Sequence, residues 1–371
     1  MRTPLLIIIA LAIVLGAHYY VFHRLWHIVP SLSGRVIMLT LGLLALLALF
    51  LNFFLSDVAP QGVVTLLYRV GTSWLVIFLY LLLILLATDL LRLLPFVPAG
   101  GILPPGWISV GAVAAIIGLT LVVGHINYRH KQRVELKISI PKQAGNRQSI
   151  TIVAISDLHL GGAVGKAEFE SWLQLINTEN PDLILIAGDI IDSNLRPLIE
   201  QNFGESLRKL HAPLGVFASV GNHEFIAGVE RSANFLRSAG ITVLRDSIAF
   251  VGDAFYVVGR DDYSNRHRKP LGAILSGIDP AKPLILLDHQ PYQLDEAARN
   301  GVDFQFSGHT HNGQVWPMSV VTGLMFEKAH GYIKKEAAHI YVSSGIGIWG
   351  GQYRIGSRSE YVVIRLNFAG E

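Results

Sequence analysis

The chain has 371 residues, which allows two domains, and its mean hydropathy of +0.45 with 15% charged residues excludes an ordinary soluble protein. The formal net charge of +3 comes entirely from residues 1–128, which carry five arginines and two aspartates. The remaining residues are balanced in charge and therefore indicate no nucleic-acid partner. Because the sequence contains no cysteine, disulfides and thiolate metal sites are also excluded.

Four apolar runs near the amino terminus approach the length of about 20 residues that a helix needs to cross a bilayer. These runs are Leu5–Phe22, Val36–Leu55, Val70–Ala87 and Ile108–Ile126. A cleaved signal peptide is the alternative for the first run, but three further runs follow it and no convincing small-residue cleavage site does. The sequence therefore predicts a multi-pass, integral membrane domain with four transmembrane helices over residues 1–128.

The segments between and after these runs bear on membrane orientation. Leu94–Gly106 contains four prolines and three glycines and is predicted to be a loop. The basic stretch Tyr128–Lys137 follows the fourth run, within the range where positive charge resists translocation. We therefore expect the rest of the chain in the cytoplasm, although Arg24, Arg35 and Arg92 fall in segments assigned outside and oppose this orientation. Residues 129–148 are interpreted as a basic linker with a first strand.

From Ser149 onwards, short β-rich runs alternate with segments that suit helices. The predicted strands are Ile150–Ile155, Leu183–Ile186, Val216–Val220, Leu284–Leu287 and Phe304–Phe306. The predicted helices are Lys166–Asn177, Glu200–Leu210, Val229–Ala239 and Leu294–Arg299. This alternation predicts a layered α/β domain over residues 149–371, with ligands gathered at the carboxyl ends of the strands.

A polar cluster follows each of the five predicted strands. The clusters are Asp157-Leu-His159, Gly188-Asp189-Ile-Ile-Asp192, Gly221-Asn222-His223-Glu224, Asp288-His289 and Gly308-His309-Thr-His311. Any one of them is as readily a turn or a helix cap. Together, however, their carboxylate, amide and imidazole groups suit divalent cations such as manganese, iron or zinc. The glycines allow the backbone to pass close to such ions.

These clusters, in this order, resemble the motifs of the calcineurin-like metallophosphoesterase superfamily over roughly residues 149 to 367. The longer stretches SDLHLG, LLDHQP and GVDFQFSGHTHNGQVWP are similar to its membrane-associated branch. The resemblance implies a β-sandwich flanked by helices, here preceded by four transmembrane helices. It also implies a metal-dependent phosphoesterase.

The resemblance further implies a role for each residue of the clusters. Two divalent ions are expected, with manganese preferred and iron or zinc as alternatives. The ligands of the first ion would be Asp157, His159 and His311, those of the second Asn222, His289 and His309, and Asp189 would bridge the two. A hydroxide bridging the ions would attack phosphorus. His223 would protonate the leaving oxygen, and Asp192 would hydrogen-bond to His223 and fix its tautomer.

Three further residues stand outside these ligand roles. Arg354, in the glycine-rich carboxyl-terminal loop, is a candidate substrate-binding residue because guanidinium grips phosphate bidentately, although a solvated surface arginine explains it equally well. Asp288 and Asn312 depart from the residues usual beside these motifs. Neither change removes a ligand, but Asp288 is expected to affect metal preference or the charge of the pocket.

Several functions remain open at this point. The leading one is a membrane-anchored hydrolase of a phosphodiester or pyrophosphate, with lipid-linked esters among the candidates because of the adjoining bilayer. The alternative is a membrane transport or signalling protein with a regulatory phosphoesterase-like domain, which the scarcity of charge within the spans disfavours. An inactive adaptor is disfavoured because all seven ligands and His223 are present. The sequence does not indicate an oligomeric state.

Overall fold

The computed structural model of the protein describes residues 2–96 and 102–369. The chain divides into two compact units, the first extending up to Val123 and the second beginning at Gly124. The division falls within one long helix, so the last residues of that helix belong to the second unit.

Four long helices precede the sheets of the second unit. They are α1 (Arg2–Ile28), α2 (Leu32–Leu55), α3 (Gln61–Leu91) and α4 (Trp107–Arg129). All four contain stretches long and apolar enough to cross a membrane, which confirms the four predicted spans. The helices extend beyond the apolar runs because helical hydrogen bonding continues through the flanking residues. Residues 97–101 of the predicted loop lie outside the described residues.

A half-buried polar contact joins α1 to α3 within the first unit. Arg24 donates two hydrogen bonds to the carboxylate of Asp89, at 2.6 and 2.8 Å, and the Tyr20 hydroxyl donates a third at 2.7 Å. Arg24, assigned from the sequence to an outside segment, therefore lies within α1 and is paired. Pairing is the expected state of a charged residue among apolar helices.

The second unit contains two six-stranded sheets. The first sheet has the order β1-β12-β2-β3-β4-β5 and the second has the order β10-β11-β9-β8-β7-β6. Their strands are β1 (Gln132–Ile140), β2 (Ser149–Ile155), β3 (Leu183–Ala187), β4 (Val216–Ser219), β5 (Thr242–Val243), β6 (Ser247–Val251), β7 (Phe255–Gly259), β8 (Leu284–Leu287), β9 (Phe304–Ser307), β10 (Gly331–Lys335), β11 (Ala338–Val342) and β12 (Glu360–Phe368).

Short helices connect the strands. They are α5 (Lys166–Thr178), α6 (Arg196–Glu200), α7 (Phe203–Leu207), α8 (Asn222–Ile226), α9 (Val229–Ser238), α10 (Leu271–Ile274), α11 (Asp295–Arg299) and α12 (Met318–Met325). The single helix predicted over Glu200–Leu210 is wrong, because Asn202 adopts a left-handed φ of 53° between α6 and α7. A residue in this conformation cannot continue a right-handed helix.

The core of the second unit lies between the two sheets. Ile152 and Leu185 of the first sheet share one buried cluster with Phe255, Ile285 and Phe304 of the second. This arrangement confirms the predicted α/β sandwich. The central strands read as continuous apolar runs because both of their faces are covered.

Strand register brings the polar clusters to one edge. In parallel pairs, Ile155 of β2 lies beside Ile186 of β3, and Leu287 of β8 lies beside Phe306 of β9. Parallel neighbours in register end at the same edge of a sheet. Within each sheet, the polar clusters therefore lie at the same edge, directly after their strands.

Candidate metal centre

The backbone at the strand ends is bent sharply where the candidate ligands lie. Five of the seven candidate ligands have a positive φ, between 47° and 71°. They are Asp157, His159, Asp189, His309 and His311. For residues other than glycine this conformation costs about 1 kcal/mol or more and clusters at functional sites. The packed sheets hold these turns, which aim the side chains toward a common point.

The first group consists of Asp157, His159 and His311, whose candidate ligand atoms lie within 4.8 Å of one another. Nε2 of His159 and Nε2 of His311 are 3.0 Å apart, and the latter is 3.6 Å from Oδ1 of Asp157. Burial lowers the pKa of His311, and the neighbouring His159 lowers it further. A neutral imidazole is the form that binds a metal.

The second group consists of Asp189, His289 and His309, again within 4.8 Å of one another. Oδ1 of Asn222 lies 2.9 Å from Nδ1 of His309, so the amide joins this group. Burial lowers the pKa of His309 to about 4, and the nearby His289 contributes to the shift. The group thus contains a carboxylate, an amide oxygen and two imidazoles.

Asp189 lies between the two groups. Its Oδ2 is 3.1 Å from Nε2 of His289 and 3.8 Å from Nε2 of His159. Nδ1 of His289 is 2.7 Å from the carbonyl oxygen of Ala187, which can only accept, so Nδ1 carries a proton. In the neutral imidazole, Nε2 and the Asp189 carboxylate therefore face each other as two acceptors. Such a pair requires a cation or a proton between them.

These residues fit a divalent metal centre. Among the residues that the structure describes, the buried atoms without a hydrogen-bond partner include Oδ2 of Asp157 and Nε2 of His289. Buried polar atoms are normally satisfied, so atoms of this kind in a ligand-rich pocket indicate an ion. The mixture of carboxylate, amide and imidazole donors suits manganese, iron or zinc.

His223 lies beside both groups and touches Asp192 in two ways. Its Nδ1 makes a short hydrogen bond to the backbone carbonyl of Asp192 and lies 3.5 Å from the Oδ1 of that residue. Burial lowers the pKa of His223, but the hydrogen bond with Asp192 and the charge of Asp189 outweigh it and raise the pKa to about 9. Because a carbonyl oxygen can only accept, Nδ1 carries a proton in both charge states of the ring, and the carbonyl of Asp192 holds that proton together with the Asp192 carboxylate.

The carboxylate of Asp192 is shared between two imidazoles. Its Oδ1 is 3.3 Å from Nδ1 of His159 and 3.5 Å from Nδ1 of His223. Burial raises the pKa of Asp192, but the two imidazoles outweigh it and lower the pKa to about 2. Asp192 therefore supports two residues, the candidate ligand His159 and the neighbouring His223.

Glu224 has a structural role at the site that the sequence did not reveal. Its fully buried carboxylate accepts four backbone N–H groups, those of Gly221, Asp189, Ile190 and Ile191, at 2.7–3.0 Å. Glu224 thereby ties the loop after β3 to the loop after β4. Its position in the polar cluster was the only available signal.

Arg354 does not have the exposure that a substrate-binding role requires. The residue is fully buried, and its guanidinium donates to the carbonyls of His311 at 2.7 Å, Ser344 at 2.6 Å and Gly347 at 2.9 Å. These bonds use both terminal nitrogens of the guanidinium, and the remaining donor, Nε, is buried. The expectation of a phosphate contact is corrected to support of the His311 loop.

Asp288 also has its charge compensated by neighbouring residues. Its buried carboxylate pairs with Arg268 and lies 3.5 Å from Arg260. The expected effect on the charge of the pocket is therefore reduced, because two guanidinium groups face the one carboxylate.

Two glycines at the site are required by close approach. An added Cβ at Gly221 would lie 2.2 Å from Oδ1 of Asp189, and one at Gly308 would lie 2.3 Å from Oδ2 of Asp157. Any larger residue would displace a candidate ligand.

Comparison with known proteins shows which family this chain belongs to. The sequence profile of the family described as calcineurin-like phosphoesterase matches residues 150–313. A transmembrane protein with metallophosphoesterase domain from Danio rerio is 33% identical over 275 residues, which cover 69% of this chain and 62% of the relative. An uncharacterized metallophosphoesterase from Aquifex aeolicus is 34% identical over 232 residues, which cover 60% of this chain and 86% of the relative.

A more distant relative has a named substrate. UDP-2,3-diacylglucosamine pyrophosphatase from Chlamydia trachomatis is 24% identical over 312 residues, covering 66% of this chain and 94% of that protein. The chain spans about three-fifths of the length of several other relatives that it matches, including 62% of the Danio rerio protein and 60% of an uncharacterized metallophosphoesterase from Helicobacter pylori.

Proposed function

Because this chain belongs to the calcineurin-like phosphoesterase family, we propose that it is a membrane-anchored, metal-dependent hydrolase of phosphate esters. The observation that carries the proposal is the convergence of seven ligand-type side chains from five strand ends, with His223 beside them. In this proposal a membrane domain covers residues 1–128, a linker with a first strand covers 129–148, and the phosphoesterase domain covers 149–371.

The proposed centre holds two divalent ions. Asp157, His159 and His311 hold one ion, and Asn222, His289 and His309 hold the other. Asp189 is proposed to bridge them, supported by the position of its Oδ2 between His159 and His289. Manganese is the first candidate, with iron and zinc as alternatives. When bound, the ions supply Lewis-acid charge that offsets negative charge on phosphate and makes water nucleophilic at neutral pH.

His223 is the proposed general acid. With Nδ1 held at the carbonyl of Asp192, the ring presents Nε2 as the nitrogen that exchanges a proton with the substrate. A pKa raised to about 9 keeps the ring protonated at neutral pH, so it can also offset charge on the phosphate oxygens. Asp192 supports this state with its charge.

The proposed substrate is a phosphodiester or a pyrophosphate, with lipid-linked esters favoured. Four candidate membrane spans in the same chain support a substrate that resides in the bilayer. The pyrophosphatase from Chlamydia trachomatis, whose name includes a diacylated sugar nucleotide, supports the same class.

The test uses the purified full chain in detergent and in lipid vesicles. It would be assayed against p-nitrophenyl phosphate, bis-p-nitrophenyl phosphate and a lipid pyrophosphate, after chelation and after readdition of manganese, iron or zinc. We expect turnover of at least one diester or pyrophosphate that is lost on chelation and restored by metal. Stoichiometric metal binding without turnover of any ester would contradict hydrolysis and favour a regulatory domain.

A further inference from the structure

The second unit exposes an apolar surface that its own fold does not use. None of the residues of α12 is buried, and Leu324 is 84% exposed. Trp316, two residues before α12, and Trp349, whose carbonyl accepts a hydrogen bond from the Gln314 side chain, are each about half exposed. We call the set of seven the apolar face, and it consists of Trp316, Met318, Val320, Val321, Leu324, Met325 and Trp349. Contiguous exposed apolar side chains of this kind mark an interaction site.

The apolar face is connected to the end of α4. The backbone N–H of Trp316 donates to the carbonyl of Ile355 at 2.6 Å. The adjacent Arg354 donates its backbone N–H to the carbonyl of Gly124 at 2.9 Å, and the Asn127 side chain donates back to the carbonyl of Arg354 at 3.3 Å. Gly124 and Asn127 belong to the last two turns of α4, within a candidate span.

The chemistry of the apolar face suits lipid. The sequence of α12, MSVVTGLM, contains no charged residue, and its eight residues make a helix about 12 Å long, too short to span a bilayer. A short apolar helix lies in the interface plane instead, and tryptophan prefers the same depth. From the link to α4 and this composition, we propose that the apolar face inserts into the bilayer that α4 crosses.

Insertion would act directly on the metal centre. The residue after α12, Phe326, is buried, and its ring lies edge-on to the ring of His309 at 6.0 Å. Gly313, two residues after His311, packs so closely on α12 that an added Cβ would lie 2.2 Å from the backbone nitrogen of Ser319. The loop that carries the candidate ligands His309 and His311 would thus be held at the membrane surface. This consequence rests on the proposed function, whereas insertion itself does not.

The absence of cysteine makes the test direct, since a single introduced cysteine can be labelled uniquely. Leu324→Cys in the full chain would carry an environment-sensitive fluorophore and be reconstituted in vesicles of phosphatidylcholine and phosphatidylglycerol. Spin-labelled lipids would place the quencher about 5–10 Å below the headgroups. Phe250→Cys is the matched control, because Phe250 is an exposed apolar residue on β6, at the opposite edge of the second sheet from β10.

We expect several-fold stronger quenching at position 324 than at position 250. Val320→Cys, on the same helix, should behave like Leu324→Cys and covers the case in which one variant misfolds. Equal quenching at all three positions would overturn the proposal. A blue-shifted emission at 324 without lipid quenching would also overturn it, since that result indicates a second copy of the chain on this face. Quenching needs no turnover, so its outcome is separate from that of the hydrolase assay.

Discussion

The backbone N–H of His223 donates a 2.9 Å hydrogen bond to Oδ1 of Asp189. One oxygen of the carboxylate is thereby fixed by the loop after β4, and the other is left facing His289 and His159. This main-chain hydrogen bond thus fixes the position of Asp189, the proposed bridging ligand, relative to His223, the proposed acid.

Asp189→Asn should therefore lower metal content more than His311→Asn. The Asn amide can still accept the hydrogen bond from His223. The substitution nevertheless removes a negatively charged ligand from both proposed ions, whereas His311→Asn affects only one ion. We expect a loss of affinity beyond the roughly 10- to 100-fold typical when a residue that only supports a ligand is removed. Metal analysis after dialysis measures it. Equal retention by the two variants would contradict bridging.

His223→Asn should cut turnover while leaving metal content near that of the wild type. The change removes a proton donor, which typically contributes about 10²–10⁴-fold to the rate. Steady-state kinetics and metal analysis on the same sample would separate the two effects. Should metal be lost in parallel with activity, His223 would have to be reassigned as a ligand.

Glu224→Ala should destabilise the second unit strongly. Removing the carboxylate leaves four backbone N–H groups buried without their acceptor, at a cost of about 3 kcal/mol or more. Glu200→Ala is the control, since Glu200 pairs on the surface with Arg196 and its loss should cost about 0.5 kcal/mol or less. Denaturant titration of the full chain in detergent measures both. Similar midpoints for the two variants would argue against the role assigned to Glu224.

Arg354→Ala should reduce metal binding and stability rather than substrate affinity. The buried guanidinium holds the carbonyl of His311, so its loss loosens a proposed ligand loop. In the fraction that retains metal, KM should stay near the wild-type value. A raised KM with full metal content and an unchanged melting temperature would restore the phosphate-binding role.

The catalytic domain should lie in the cytoplasm. Arg129, Lys131 and Arg133 follow the fourth span, and charge at this distance acts on the chain as it inserts. In the folded protein Arg129 and Lys131 lie near Glu168, and Arg133 pairs with Glu179, but this pairing forms after insertion.

Single cysteines would check this orientation with a membrane-impermeant maleimide. Phe250→Cys should be labelled in inverted vesicles and protected in spheroplasts of the expression host. Leu93→Cys, in the exposed segment after α3, should show the opposite pattern. Labelling of position 250 in spheroplasts would reverse the assignment.

The sequence by itself determined the features that depend on local pattern. Four apolar runs predict four spans, because length and hydropathy alone decide whether a helix suits a bilayer. The strands before the five clusters were also predictable, since buried parallel strands read as apolar runs. The order of the clusters then identified the candidate ligands and the family.

Only the tertiary structure decided which residues are buried, what they contact and how distant segments pair. Strand β1 pairs in parallel with β12, more than 200 residues later, and no local pattern specifies that partner. Arg354 lies in a glycine-rich segment typical of a surface loop, yet packing buries its guanidinium against four backbone carbonyls. Glu224 gains its role because two loops meet around it. Only the tertiary structure shows that α12 is exposed, since an apolar sequence is compatible with either burial or exposure.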